Sequence, residues 1–162
     1  MKKVLLISLL SFSVTIFAQA TANFTASVTI VEPLKITTVS NLDFAEVRAG
    51  TGGVVTVSAD GQRMGFGGVE LGEETNISPA TFNILGKPGT KISLVLPSGE
   101  HLLSNGKETI TISNFLSNWT NNDFLTEENN VLKVGASIVV EADQEPGFYT
   151  SIKPIEIIAN YD

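Results

Sequence analysis

The residues best suited to catalysis in this chain are a single histidine and the serines near it. His101 is the only histidine and the chain contains no cysteine, so nucleophilic catalysis would need Ser98 or Ser104 activated by His101 and oriented by a carboxylate. Ser98 lies beside a glycine in a predicted turn, without the strand–turn–helix context that exposes a catalytic serine. We therefore interpret His101 as an ordinary strand-edge residue, and we predict no catalytic residues and no enzymatic activity.

Two glycine-rich stretches and one acidic loop are the other places where a ligand could bind. Residues 50–53 and 65–68 are not followed by the lysine and hydroxyl residue of a phosphate-binding loop, so we interpret them as turns or bulges and expect no cofactor. Residues 121–123 and 127–129 offer oxygen atoms that suit calcium. Their spacing does not fit an EF-hand, so a solvated acidic loop is favoured and no metal is predicted.

One aromatic group is the remaining candidate for a ligand surface. Trp119 is the only tryptophan, and Phe115 and Phe124 flank it. Aromatic rings of this kind can form a platform for a sugar, but phenylalanines are more often core residues. Trp119 is therefore the one residue that we single out as a candidate ligand-binding aromatic.

The N-terminal residues have the pattern of a secretory signal peptide. Met1-Lys2-Lys3 is a basic start, residues 4–17 are almost entirely apolar, and Ala18-Gln19-Ala20 fits a small-residue cleavage site. We predict a helical signal peptide over residues 1–20, with cleavage after Ala20 or, as an alternative, after Ala18. The remaining residues, 21–162, form one predicted domain without a membrane span, located in the periplasm, at the cell surface or outside the cell.

Charge narrows the range of partners. The chain has 10 basic and 17 acidic residues. Loss of Lys2 and Lys3 with the leader would leave 8 basic residues against 17 acidic ones, a formal charge of −9. Such a surface repels phosphate backbones and anionic lipid headgroups, so nucleic acid and peripheral membrane binding are not expected.

The periodicity after the leader predicts an all-β protein. Eight to ten short strands alternate with glycine and proline turns, and no segment has a helical period. Asn105-Gly106 predicts a type I′ turn that joins residues 101–103 to 109–112 in a hairpin. We favour an immunoglobulin-like antiparallel β-sandwich, with a small β-barrel as the alternative.

The first and last predicted strands carry a signal for assembly. Residues 23–36 alternate apolar and hydroxyl residues and are interrupted at Pro33, and the last strand alternates from Ile155 onward and follows Pro154. Such edge strands can pair within one chain or add to another chain. From these two ends we select as assembly residues Phe24, Val28, Ile30, Gly147, Tyr149, Ile155, Ile157 and Tyr161.

A set of short motifs supports a family resemblance. The motifs are Pro33-Leu34, Leu42-Asp43-Phe44, Ala49-Gly50-Thr51-Gly52-Gly53, Val55-Thr56-Val57, Gly67-Gly68-Val69, Ser78-Pro79-Ala80, Gly86 with Pro88-Gly89, Leu132 with Val134-Gly135, and Gly147-Phe148-Tyr149-Thr150. In these the chain resembles the bacterial domain-of-unknown-function 4402 family, although Ala45 stands where the family has a glycine. The resemblance implies a secreted β-sandwich.

The last segment is also similar to spore coat protein U and to chaperone–usher pilin subunits, whose final strand carries a glycine and a penultimate tyrosine. Gly147 and Tyr161 match those two positions. This similarity implies an assembly chaperone as one partner, and the edge strands indicate copies of the same chain or other surface subunits as further partners. We expect a non-enzymatic structural or adhesive surface subunit that assembles by strand exchange; the alternative is a self-contained secreted binding module for a carbohydrate or protein ligand.

Overall fold

A computed structural model of the chain describes residues 20–73, 75–120, 123–127 and 130–162. The predicted signal peptide therefore lies outside the described residues, except for Ala20, and so does most of the predicted acidic loop. The chain divides into two units, Met1–Ile30 and Val31–Asp162. The described part of the first unit, residues 20–30, contains no strand or helix.

The described part of the second unit contains twelve strands and no helix. Nowhere in the described ranges is there a helix long and apolar enough to cross a membrane. The strands are β1 (Lys35–Ser40), β2 (Val47–Arg48), β3 (Gly53–Val57), β4 (Arg63–Gly67), β5 (Glu70–Leu71), β6 (Ala80–Leu85), β7 (Ile92–Val95), β8 (His101–Ser104), β9 (Thr109–Ser117), β10 (Asn130–Val140), β11 (Thr150–Ser151) and β12 (Ile158–Tyr161).

The large sheet is built around β10, whose eleven residues are the longest continuous strand. Its order is β1-β6-β10-β9-β8-β11, and all of its pairs are antiparallel. The first part of β10 pairs with β6, while residues Ala136 to Val140 pair with β3, which in turn pairs with β4. The strand is long enough to hold two sets of neighbours along one edge.

A smaller sheet, β12-β7, packs against part of the large one. Ile92 from β7 and Tyr161 from β12 belong to the same apolar cluster as Ile84 and Leu132 of the large sheet. A second cluster lies around Val55, Ile112 and Ile138, with more apolar side chains from the surrounding loops. The chain is an all-β protein with antiparallel sheets, and the predicted sandwich is confirmed.

The predicted strand over residues 23–36 is wrong for most of its length. The structure has no strand from residue 20 to residue 34, and β1 begins only at Lys35. The alternation of apolar and hydroxyl residues suits one face of a sheet. Alternation alone does not provide a neighbouring strand to which the main-chain N–H and C=O groups can hydrogen-bond. For β1 that neighbour is β6.

The predicted hairpin between β8 and β9 is confirmed, but its turn type is wrong. Ser104 pairs with Thr109, so the loop has four residues, 105–108, instead of two. Gly106 has a positive φ of 89°, whereas Asn105 is not among the residues with positive φ. The Asn105 side chain instead accepts hydrogen bonds from the backbone N–H groups of Lys107 and Glu108. Asparagine often organises a loop in this way.

Candidate functional site: an open edge of the sandwich

One concave feature of the second unit is a cleft between β1 and the segment that leads into β12. We call it the open cleft. Its volume is about 260 Å³. It is lined by Ile36, Thr38, Phe82, Ile155, Glu156, Ile157 and Ile158.

One side of the open cleft is the free edge of β1, and the other is formed by residues 155–157 and the start of β12, a strand that also has a free edge. Within the described residues, β1 pairs only with β6, and β12 pairs only with β7. The remaining edge of each strand therefore has main-chain N–H and C=O groups without a ladder partner. Such an edge is a template for a further strand.

The floor of the open cleft leads into the hydrophobic core. Across the β1–β6 ladder, Ile36 lies opposite the fully buried Ile84, and Thr38 lies opposite Phe82. Ile36 and Phe82 are only partly buried, although both pack against the cluster that contains Ile84. The sandwich is thus unsealed at this edge, because apolar side chains that contact the core remain partly open to solvent.

The predicted phase of the last strand is confirmed. Ile155, Ile157, Ala159 and Tyr161 are half-buried, while the residues between them are exposed. The strand itself is shorter than predicted and begins at Ile158. Ile155 and Ile157 therefore line the open cleft without belonging to a strand, as expected for residues that closely follow Pro154.

At one end of the open cleft, a tyrosine hydroxyl connects the two sides. Tyr161 Oη donates a hydrogen bond to the Glu32 carbonyl at 3.1 Å and accepts one from the Lys87 N–H at 2.9 Å. We call this arrangement the Tyr161 clasp. It connects the residues that precede β1 to the last strand, 129 positions apart in sequence. Beyond this contact, β1 and residues 155–158 line the cleft.

Gly86 makes room for the Tyr161 clasp. A Cβ atom at this position would lie 2.5 Å from Tyr161 Oη, 2.8 Å from Leu125 Cδ1 and 3.0 Å from Leu34 Cδ1. All three side chains pack in or against the same apolar cluster. The absence of a side chain at position 86 therefore allows Leu34 and Tyr161 to meet over the core.

The sequence-selected residues near the N-terminus are all exposed. We call residues 21–31 the extension. Phe24, Val28 and Ile30 are 92%, 85% and 92% exposed. These apolar side chains occupy even-numbered positions, and the hydroxyl residues Thr25, Ser27 and Thr29 lie between them.

Two other selected residues lie at a different place in the second unit. Tyr149 Oη donates a hydrogen bond to the Glu145 carbonyl at 2.7 Å and accepts one from Gln144 Nε2 at 3.1 Å. Gly147 faces the side chain of Asn105 in the β8–β9 loop. Neither Gly147 nor Tyr149 lines the open cleft, so the structure separates these two positions from Ile155, Ile157 and Tyr161.

The aromatic candidates do not share one surface. Trp119 is half-buried and packs, together with Phe115, against the apolar cluster around Leu132. Phe115 also contacts the ring of His101 edge to face, with 5.5 Å between ring centroids. Phe124 is half exposed, and Lys91 Nζ lies 5.2 Å from its ring centroid. In the described ranges, no three His, Cys, Asp or Glu residues are grouped so that they could hold a metal ion.

Sequence reasoning missed the residues that complete the open cleft. Thr38, Phe82 and Glu32 come from segments whose proximity to the last strand depends on the sheet order. The sequence does predict that Leu34 and Ile36 lie on the apolar face, because both continue the even-numbered apolar positions beyond Pro33. That pattern indicates which face is buried, but it does not identify the strand on the other side of the cleft.

These features define an antiparallel β-sandwich with an unsealed edge at β1. Residues 34–161 match the family model described as Domain of unknown function (DUF4402), and the chain belongs to this family. The match covers the whole sandwich from Leu34 to Tyr161 and begins just after the extension. No curated protein and no solved structure matches the chain.

Proposed function

We propose that this protein is an exported structural subunit of a surface assembly, joined to its neighbours by strand exchange. The extension of one copy would enter the open cleft of another and add a strand between β1 and β12. One observation carries the proposal. The second unit has an open cleft between the free edge of β1 and the segment that leads into β12, and the chain also has an exposed segment with the alternating pattern of a strand.

The extension and the open cleft agree in length. β1 has six residues, which corresponds to roughly 20 Å of strand at about 3.3 Å per residue. The alternating residues from Phe24 to Ile30 would span about 23 Å in the same conformation. One extension therefore suffices to cover the free edge of β1.

The side chains of the extension suit a half-buried strand. With Phe24, Val28 and Ile30 directed into the cleft, they would cover the partly exposed Ile36 and Phe82. Burial of such a side chain contributes about 1.5–3 kcal/mol. Thr25, Ser27 and Thr29 would face solvent. The cost of ordering the extension, about 1–2 kcal/mol per residue for the backbone, opposes this gain.

Charge also favours the extension as the segment that joins two copies. The chain as a whole has a formal charge of −7, whereas residues 20–31 contain no charged side chain. Two acidic copies repel one another, and salt screens that repulsion beyond about 10 Å at 0.1 M ionic strength. A segment without charged side chains can reach a neighbour while the two acidic bodies stay apart.

The proposal includes export. The leader would be removed on export, and strand exchange would follow outside the cytoplasm. The basic start, the apolar run and the Ala18-Gln19-Ala20 site support export. Cleavage after Ala20 would leave the extension at the new N-terminus. We propose the periplasm or the cell surface as the place where assembly begins.

A pair of aspartate substitutions tests the proposal in the mature protein, residues 21–162. Val28→Asp places a charge on the apolar side of the extension, and Thr29→Asp places the same charge on the other side. We expect oligomers of the wild type and of Thr29→Asp, measured by size-exclusion chromatography with light scattering. Val28→Asp should remain monomeric because a buried, unpaired carboxylate is strongly unfavourable.

A synthetic peptide of residues 21–31 provides the complementary measurement. It should bind to the Val28→Asp protein, whose cleft is intact, and the same peptide with aspartate at position 28 should not bind. Identical oligomeric states of the two aspartate variants, together with no peptide binding, would overturn the proposal.

A further inference from the structure

We propose that the extension enters the cleft of a second copy and is prevented from entering its own by the Tyr161 clasp and Pro33. This inference rests on the proposed function and adds what keeps the extension out of the cleft of its own chain. It concerns the four residues Val31 to Leu34, where the extension joins the sandwich.

The clasp fixes the point at which the extension leaves the sandwich. Glu32 directly follows the extension, and its carbonyl accepts the hydrogen bond from Tyr161 Oη. Leu34 packs against the apolar cluster that also contacts Tyr161. The chain is therefore held on both sides of Pro33, at the end of the cleft where β1 and the last strand are joined.

Return of the extension to its own cleft would require a tight reversal at this point. To lie antiparallel to β1, the chain would have to form a hairpin through residues 31–34. Two-residue hairpins use type I′ or II′ turns, which need a positive φ at the first central residue. Proline is fixed near −65°, and neither Glu32 nor Pro33 is among the residues with positive φ.

A three-residue loop over residues 31–33 needs a left-handed conformation at its third residue, which Pro33 cannot adopt. A loop of four or five residues would avoid that position but would lose residues that bind. A loop of four or five residues that ends at Pro33 would contain Ile30 and would leave Val28 next to the first residue of the loop or close to it. The apolar positions still available for the cleft would then be Phe24 and Ala26. A second copy can accept the complete alternating segment, because no reversal of the chain is needed.

This geometry also predicts the form of the assembly. The donor segment and the open cleft are different surfaces of the same chain, so each contact is heterologous. Such contacts produce an open chain of subunits unless the rotation between copies closes a ring. We therefore expect a ladder of increasing size instead of one symmetric dimer.

The lack of cysteine in the chain permits a direct test by disulfide trapping in the mature protein. One variant carries Ala26→Cys or Val28→Cys on the apolar side of the extension, and a second carries Thr38→Cys in the cleft. Directly opposed residues of adjacent strands have Cβ atoms about 4.5–5.5 Å apart, close to the range of a disulfide. Mixed under oxidising conditions, the two variants should form a covalent heterodimer.

Two matched controls accompany this mixture. Ser27→Cys lies on the opposite side of the extension, and Asp60→Cys replaces Thr38→Cys with a cysteine in the exposed turn after β3. Each control pair should give at least tenfold less heterodimer than the test pair. Equal yields from test and control pairs would contradict insertion of the extension into the cleft.

The choice between the two destinations is tested by placing both cysteines on one chain. With the natural linker, Ala26→Cys with Thr38→Cys should give a ladder of covalent oligomers. Glu32→Asn and Pro33→Gly together allow a three-residue loop over residues 31–33 with glycine in the left-handed third position, which pairs residue 26 with residue 38, and the product should shift to an internally linked monomer. An internally linked monomer from the natural linker would overturn the inference while leaving a strand-binding cleft in place. Absence of any linkage in both proteins would overturn the proposed function itself.

Discussion

Two edges of the sandwich each contain a tyrosine whose hydroxyl bonds the main chain, and they differ in what surrounds it. At the first edge, β11 pairs with β8, and Tyr149 bonds Gln144 and Glu145. We call it the Tyr149 edge. At the second, β1 and β12 have free sides, and the Tyr161 clasp joins them at one end only.

The Tyr149 edge is held by a network of polar contacts over a short stretch. The Glu108 carboxylate accepts hydrogen bonds from Gln144 Nε2 at 2.7 Å and from the Glu145 N–H at 3.0 Å. Lys107 Nζ lies 2.8 Å from Glu145 Oε1. β11 also has a free side, and Phe148 beside it is exposed, but β11 has only two residues. The free edge of the six-residue β1 lies over apolar side chains that contact the core, and it offers both more hydrogen bonds and buried area. This difference is the reason why we propose the open cleft, and not the Tyr149 edge, as the place where another chain binds.

The largest expected effect concerns the core beneath the open cleft. Ile84 is fully buried opposite Ile36, and Ile84→Ala should lower the free energy of unfolding by about 2–5 kcal/mol, measured by urea denaturation. Leu85→Ala on the exposed side of the same strand is the matched control. Its loss should be below about 1 kcal/mol. Similar losses from both variants would mean that the cleft does not border a packed core.

The next effect concerns the space beside the Tyr161 clasp. Gly86→Ala brings a methyl group against Tyr161 Oη, Leu34 and Leu125, and the overpacking should cost about 1–3 kcal/mol. In the Tyr161→Phe background, part of that cost should disappear because the hydroxyl oxygen is gone. A double-mutant cycle measures the coupling, and strictly additive losses would contradict the contact.

The two tyrosines provide the third comparison. Tyr161→Phe and Tyr149→Phe should each lower the free energy of unfolding by about 0.5–1.5 kcal/mol through lost hydrogen bonds. Only Tyr161→Phe should increase the hydrogen exchange of the backbone around Glu32, because only this hydroxyl holds that segment. Equal changes at Glu32 in both variants would show that the clasp has no local role.

The smallest effect belongs to the ion pair of the Tyr149 edge. The side chains of Lys107 and Glu145 are 74% and 42% exposed, so Lys107→Ala should lower the free energy of unfolding by at most about 1 kcal/mol. The difference should shrink in 1 M salt, where the Debye length is about 3 Å. A larger, salt-independent loss would show that this edge depends on Lys107 for more than charge.

The sequence predicted the local features of the fold more completely than the site. Alternation placed Ile155, Ile157, Ala159 and Tyr161 on one side of the last segment, and the structure agrees because side-chain period 2 is a local property. The same alternation predicted a strand around Val28, where none exists. Pairing depends on which edge a segment meets, and that information is not local.

The open cleft required the sheet order itself. Thr38 and Phe82 come together because β1 pairs with β6, and Ile157 lies across from them because β12 pairs with β7. Neither pairing has a turn signal, since long connections separate the partners. The β8–β9 hairpin, by contrast, was predictable from Asn105-Gly106, because a short loop determines which strands meet.

The most direct test of the central claim is hydrogen exchange along β1 in assembled protein and in the monomeric Val28→Asp variant. In the assembly, the β1 amides that point away from β6 should become protected at least tenfold, because an added strand would bond them. Amides of β4, which pairs only with β3 in the described structure, serve as the reference and should not change. Unchanged exchange along β1 in a protein that still assembles would contradict strand addition at the open cleft.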